Sequence, residues 1–102
     1  MIQHCVFLNL KNDTTLNDVK EVMVELSSLV GRLEGFQGFK FGQNLDFENK
    51  SPEFGYGFVA TFANRSALQR YANDPQHMAL GGRLVEMCVN GPHGIIVFDL
   101  SV

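Results

Sequence analysis

The chain has 102 residues, 45% of them hydrophobic and 19% charged, with a formal net charge of −3. This length predicts one globular domain over residues 1–102, because a chain of this size buries about 60–70% of its unfolded surface around a single core. No cluster of lysines and arginines is present. Nucleic acids and anionic membranes, which require a basic face, are therefore excluded as partners.

The first two predicted elements are a strand and a long helix. Residues 2–10, IQHCVFLNL, are rich in strand formers. A helix is then predicted from Thr15, which forms a capping box with Asp18, to a stop at Gly35. Its apolar positions at helical spacing are Leu16, Val19, Val22, Met23, Leu26, Leu29, Val30 and Leu33.

Two further strands are predicted over residues 38–47 and 54–63, joined by the turn-rich stretch 48–53. A short helix follows, from about residue 64 to residue 73. The sequence GIIVFDL, residues 94–100, predicts a last strand.

A second helix is predicted between the short helix and the last strand, from Pro75 to Asn90. Asp74 is a good N-cap, and proline is favoured at the first helical position.

The element order βαββαβ predicts an α+β, ferredoxin-like fold, a four-stranded antiparallel sheet with helices on one face. Strand three, FGYGFVATF, has no charge on either face, and strand four is apolar on both faces. Since the helices cover one face only, we expect a second copy of the sheet to cover the other, giving a homodimeric α/β barrel. The alternative is a monomer with an apolar surface.

The stretch YANDPQH, residues 71–77, places Tyr71 and His77 on either side of a helix corner. This corner can direct both side chains into one pocket. Near the positive end of a helix dipole the pKa of His77 is lowered, and a neutral imidazole accepts a proton. His77 shares a helix stripe with Gly81 and Leu84, and the glycine leaves space beside it. The alternative is that both side chains serve packing.

His4 shares a strand face with apolar residues, so a buried imidazole there needs a hydrogen-bond partner. Strands one and four are antiparallel neighbours in the predicted sheet, which makes Asp99 the candidate partner. Such a pair is either structural or catalytic.

The sequence contains no motif for metal binding, for a serine nucleophile or for nucleotide binding. HxxxH, HExxH, CxxC, GxSxG and GxGxxG are all absent, so we predict no metal site and no cofactor. Cys5 and Cys88 lie far apart without a secretory signal, which predicts reduced thiols and a cytoplasmic protein. The apolar runs are too short to span a membrane.

The full length resembles the stress-responsive A/B barrel, or Dabb, family. The similar segments are IQHCVFL, FGQN, FANRSALQRYANDPQH and IIVFDL, of which the last two are the most specific. The resemblance implies a ferredoxin-like subunit and a dimeric barrel.

One branch of this family cyclises linear polyketides without a cofactor, using a tyrosine and a histidine. By resemblance, Tyr71 and His77 match that pair and His4 matches a pocket histidine. The resemblance thus implies that His77 removes a proton alpha to a carbonyl while Tyr71 orients or polarises the group. The predicted apolar lining consists of Val22, Met23, Leu26, Gly81 and Leu84, whereas that branch carries bulky aromatics on the first helix.

These observations favour a homodimer that binds a small, mostly apolar molecule, with possible cyclase-like or lyase-like acid/base chemistry. Two alternatives stay open. One is a structural or stress-protective homodimer, and the other is a cofactor-free monooxygenase, since such enzymes use similar barrels.

Overall fold

The computed structural model describes residues 1–102 and shows the predicted four-stranded antiparallel sheet with three α-helices. The strand order is β2-β3-β1-β4, which is the ferredoxin-like arrangement. The elements are β1 (Ile2–Leu8), α1 (Leu16–Ser27), β2 (Phe36–Gln43), β3 (Tyr56–Phe62), α2 (Arg65–Ala72), α3 (Pro75–Met87), a 3₁₀ turn (Gly91–Gly94) and β4 (Ile95–Ser101).

The helices begin where local capping chemistry places them. Thr15 Oγ1 accepts a hydrogen bond from the amide of Asp18, and the Asp18 carboxylate accepts one from the amide of Thr15, each at 3.1 Å. This is the predicted capping box of α1. At the start of α2, Asn64 Oδ1 accepts a hydrogen bond from the amide of Ala67 at 3.0 Å. Each cap satisfies backbone donors that have no partner inside the helix.

The predicted end of the first helix at Gly35 is wrong. The helix ends at Ser27, and Gly31 has a φ of 82°, a left-handed conformation that an α-helix does not contain. Leu29 is nevertheless fully buried, in a turn. The helical spacing beyond Ser27 therefore marks residues that reach the core from turns.

Other boundaries also differ from the prediction, most of all the ends of α3 and β2. Helix α3 stops at Met87, and Asn90, its predicted last residue, has a left-handed φ of 59°. Strand β2 ends at Gln43, because the Asn44 side chain donates to the carbonyl of Phe54 at 2.7 Å and turns the chain into a loop.

The two faces of the sheet have different surroundings. On the helix side, side chains of β1 and β3 form the core with the inner face of α1, as predicted; the strand residues are Val6, Leu8, Tyr56, Phe58, Ala60 and Phe62. The opposite side, here called the outer face, carries no helix. The strand registers place on it Gln3, Cys5, Phe7, Gly38, Lys40, Gly42, Gly57, Val59, Thr61, Ile96, Phe98 and Leu100. Phe98 is 55% exposed and Leu100 is 53% exposed, so this face has the apolar surface that the sequence predicts.

Candidate functional site

The corner between α2 and α3 is built as the sequence predicts. The Asp74 carboxylate accepts a hydrogen bond from the amide of His77 at 3.0 Å and caps α3, which begins at Pro75. Arg32 donates to both oxygens of Asp74, at 3.1 and 3.2 Å. Capping and ion pairing together lower the pKa of Asp74, with the amide of His77 as the largest cause. The corner is therefore held from two sides.

This corner brings Tyr71 and His77 together. Their ring centroids lie 3.9 Å apart, with an angle of 39° between the ring planes. The ring of His4, from β1, lies 5.9 Å from the ring of Tyr71 on the same side of the sheet. The three residues selected from the sequence thus form one cluster, although they come from three different elements.

His4 is oriented by Asp99. The two residues are opposite each other in the β1–β4 register, and His4 Nδ1 lies 2.5 Å from Asp99 Oδ1. Nδ1–H donates to the carboxylate, so Nε2 is the ring nitrogen that Asp99 does not engage. The predicted pairing of these two residues is confirmed. The imidazole is largely enclosed, whereas the Asp99 side chain is 45% exposed.

Two buried polar atoms in the cluster have no hydrogen-bond partner within the protein. They are the Tyr71 hydroxyl and His77 Nδ1. Tyr71 itself is only 1% exposed. Such orphaned groups are rare in native proteins, because each one costs a desolvation penalty. Both lie on rings whose centroids are 3.9 Å apart, so the cluster concentrates unsatisfied hydrogen-bonding capacity in one place.

Burial sets the protonation of both groups. It lowers the pKa of His77 below its ordinary value, with the neighbouring Ala72 carbonyl acting in the opposite direction and the charge of His4 adding to the lowering. The direction is the one expected from the sequence, but the main cause is desolvation rather than the helix dipole. Burial also strongly raises the pKa of the Tyr71 hydroxyl. At neutral pH the cluster therefore contains a neutral imidazole and a protonated phenol.

The residues predicted to line a pocket differ in their burial and in the space around them. The three from α1 (Val22, Met23 and Leu26) are fully buried in the core, and Leu84 of α3 is 4% exposed. Gly81 is different, because a Cβ built on it meets no atom within 4 Å. Open space beside α3 thus lies at Gly81, while the α1 side chains are already packed.

Two aromatic neighbours of the cluster were not selected from the sequence. Phe36 and Phe62 lie 5.1 and 5.0 Å from the Tyr71 ring, centroid to centroid, and stack on each other at 4.7 Å. Phe62 shares its strand face with Phe58, so alternation along β3 gave a signal for it. Phe36 lies across a register shift in β2, and simple alternation does not reach it.

A cavity of about 840 Å³ lies elsewhere, on the outer face. Outer-face residues Phe7, Val59, Ile96 and Phe98 line it, and none of His4, Tyr71 and His77 does. None of the α-helices has the length and hydrophobicity that a membrane span requires. No group of three or more His, Cys, Asp and Glu side chains is arranged to hold a metal ion.

Comparison with known proteins places the chain in a family. The model of the Dabb family, described as "Stress Responsive A/B Barrel Domain", matches residues 2–102. The chain belongs to this family. Among curated proteins, a stress-response A/B barrel domain-containing protein of Arabidopsis thaliana is 22% identical over 77 residues, covering 76% of this chain and 71% of that protein.

Solved structures show the same architecture. A dimeric ferredoxin-like protein of unknown function from Jannaschia sp. CCS1 is 40% identical, with a TM-score of 0.94 and coverage of 99% of this chain and 98% of that one. A hydroxynitrile lyase from Passiflora edulis has a TM-score of 0.81 at 14% identity, covering 99% of this chain and 92% of the lyase. At that identity the likeness concerns the fold alone.

Proposed function

We propose that this A/B barrel protein is a homodimer that binds a small, mostly apolar carbonyl compound at His4, Tyr71 and His77, and removes a proton from it without a cofactor. The observation that carries the proposal is the pair of orphaned polar atoms, the Tyr71 hydroxyl and His77 Nδ1, on rings 3.9 Å apart. Aromatic walls around the pair suit an apolar ligand, and the two polar atoms suit a single polar group on it.

Each side chain has a chemical role in this proposal. The neutral His77 imidazole is the general base that takes a proton from the carbon alpha to the carbonyl. As that C–H bond breaks, its electron pair moves onto the carbonyl oxygen, where the Tyr71 hydroxyl donates a hydrogen bond to the developing enolate. His4, held through Nδ1 by Asp99, has its ring 5.9 Å from the ring of Tyr71 and adds a polar group to the cluster.

The homodimer is supported by the apolar outer face and by the dimeric relative from Jannaschia. Soluble proteins rarely expose so large an apolar surface without a partner. A two-fold dimer formed by facing sheets covers it and leaves the helix side of each subunit, with its cluster, away from the interface.

Deuterium exchange tests the chemistry directly. Acetophenone incubated with the protein in D₂O is expected to lose its methyl proton signal faster than in buffer, as followed by NMR. His77→Ala should slow the catalysed exchange by about 10²-fold or more, because a positioned base typically contributes that much. The exchange rate should also fall as pH drops through a His77 pKa below 6.5, since the imidazolium cannot accept a proton.

A matched control uses His93, the exposed histidine of the 3₁₀ turn. His93→Ala should keep full exchange activity. If a panel of aryl ketones shows neither binding nor exchange, and His77→Ala only destabilises the fold, the cluster serves packing and the protein is a structural or stress-protective dimer.

A further inference from the structure

The loop between β2 and β3, residues 44–55, is ordered by its own polar side chains. Asp46 Oδ1 accepts hydrogen bonds from the amides of Lys50 and Ser51, each at 2.8 Å, and from the Ser51 hydroxyl at 3.0 Å. Asn44 Nδ2 donates to the Ser51 hydroxyl at 2.8 Å and to the carbonyl of Phe54. The amide of Ser51 is the largest cause of a lowered Asp46 pKa. These bonds hold the loop in one conformation.

The loop presents two large apolar side chains to solvent. Leu45 is 88% exposed and Phe47 is 95% exposed. We call these two residues the apolar tip. A loop built this firmly around a fully exposed phenylalanine is pre-organised for docking, because little conformational freedom is lost when the tip is covered.

The loop is continuous with the outer face. Residues 50–54 of the loop line the same cavity as Phe7, Ile96 and Phe98. The loop that carries the tip therefore borders the surface that a second subunit covers.

The charges of the loop and of the outer face favour a second copy of this chain as the partner of the apolar tip. The loop carries three acidic residues and one lysine, a balance that disfavours nucleic acid and anionic lipid. The only charged residue on the outer face is Lys40, on the strand that leads into the loop. An acidic loop with an apolar tip thus complements an apolar face with a single cation.

We propose that the apolar tip of each subunit packs onto the outer face of a second copy of this chain, so that two symmetry-related arms clasp the dimer. The inference rests on the homodimer of the proposed function. In a two-fold dimer each arm meets the same surface on the other subunit, so a single contact is made twice.

A fluorescence experiment tests this arrangement. The chain has no tryptophan, so Phe47→Trp introduces a single reporter at the tip. In the dimer its emission should be blue-shifted relative to free indole, and it should move to the red on dilution to monomer. Phe47→Ser should raise the dimer dissociation constant by about tenfold or more, because the contact occurs twice. Met78→Ser, which changes a residue that is 60% exposed on α3, is the matched control and should leave the constant unchanged.

The other outcomes overturn distinct claims. Solvent-like emission from a tryptophan at 47, in a protein shown by sedimentation to be dimeric, overturns the arm and leaves the proposed function intact. So does an unchanged dissociation constant for Phe47→Ser. A blue shift that persists in the diluted monomer shows that the tip docks on its own chain and also overturns the arm. A monomer at every concentration overturns the homodimer and, with it, the arm.

Discussion

Removing the Tyr71 hydroxyl is expected to stabilise the ligand-free protein. Tyr71→Phe deletes one oxygen and leaves the ring in place among Phe36, Phe62 and His77. Most substitutions of a fully buried residue destabilise a protein. Here the deleted atom is a buried donor without a protein partner, so its removal relieves a penalty.

The magnitude follows from the cost of an unsatisfied buried polar group, about 1–3 kcal/mol. We therefore expect the free energy of unfolding to rise by about 1 kcal/mol or more. For a domain of this size, 1 kcal/mol corresponds to about 4–8 °C in Tm. The same variant should lose ketone binding and α-proton exchange, because the hydroxyl is the proposed donor to the carbonyl. Higher stability with lower activity is typical of functional sites.

Urea unfolding at a fixed protomer concentration measures the effect, since the stability of a dimer depends on concentration. Tyr56→Phe is the matched control, because Tyr56 is also buried but its hydroxyl is not one of the orphaned atoms. A fall of more than about 0.5 kcal/mol for Tyr71→Phe would refute the reasoning, because it would show that the hydroxyl has a partner in the folded protein.

Three further predictions concern the corner, the outer face and pH. Asp74→Ala should lower the free energy of unfolding by about 0.5–2 kcal/mol through loss of the α3 cap, and a urea midpoint equal to wild type would contradict this. Val59→Asp should dissociate or unfold the dimer in sedimentation, whereas Val24→Asp, on the exposed side of α1, should not. Because burial lowers the folded-state pKa of His77, the unfolded chain binds the proton first. Stability should therefore fall as pH drops from about 6.5 through the folded pKa, and His77→Gln should flatten that slope.

Local chemistry made the helix starts predictable. A cap can be predicted without knowledge of the fold, because the capping side chain bonds an amide only three residues away. This is so for Thr15 with Asp18 and for Asp74 before Pro75. Helix ends were less predictable. Leu29 continues the apolar spacing of α1 but reaches the core from a turn. A buried position favours an apolar residue in a turn as well as in a helix, so the spacing does not mark the end of the helix.

Alternation and topology predicted the sheet and part of the cluster. A period of two assigns His4 to a face, and the antiparallel neighbourhood of β1 and β4 places Asp99 opposite it. The element order makes Asp99 a candidate partner for His4 although the two are 95 positions apart, and the register of the structure sets them opposite each other.

Tertiary packing decided the properties on which function depends. Whether the Tyr71 hydroxyl and His77 Nδ1 find partners is determined by every atom around them, and no local pattern in the sequence records it. The helix start predicted that the pKa of His77 is lowered, but the main cause, desolvation by distant parts of the chain, is a tertiary result. The exposure of Phe47 on a firmly bonded loop is likewise a tertiary result, because an apolar residue in a sequence carries no mark of whether a fold covers it or presents it to a partner.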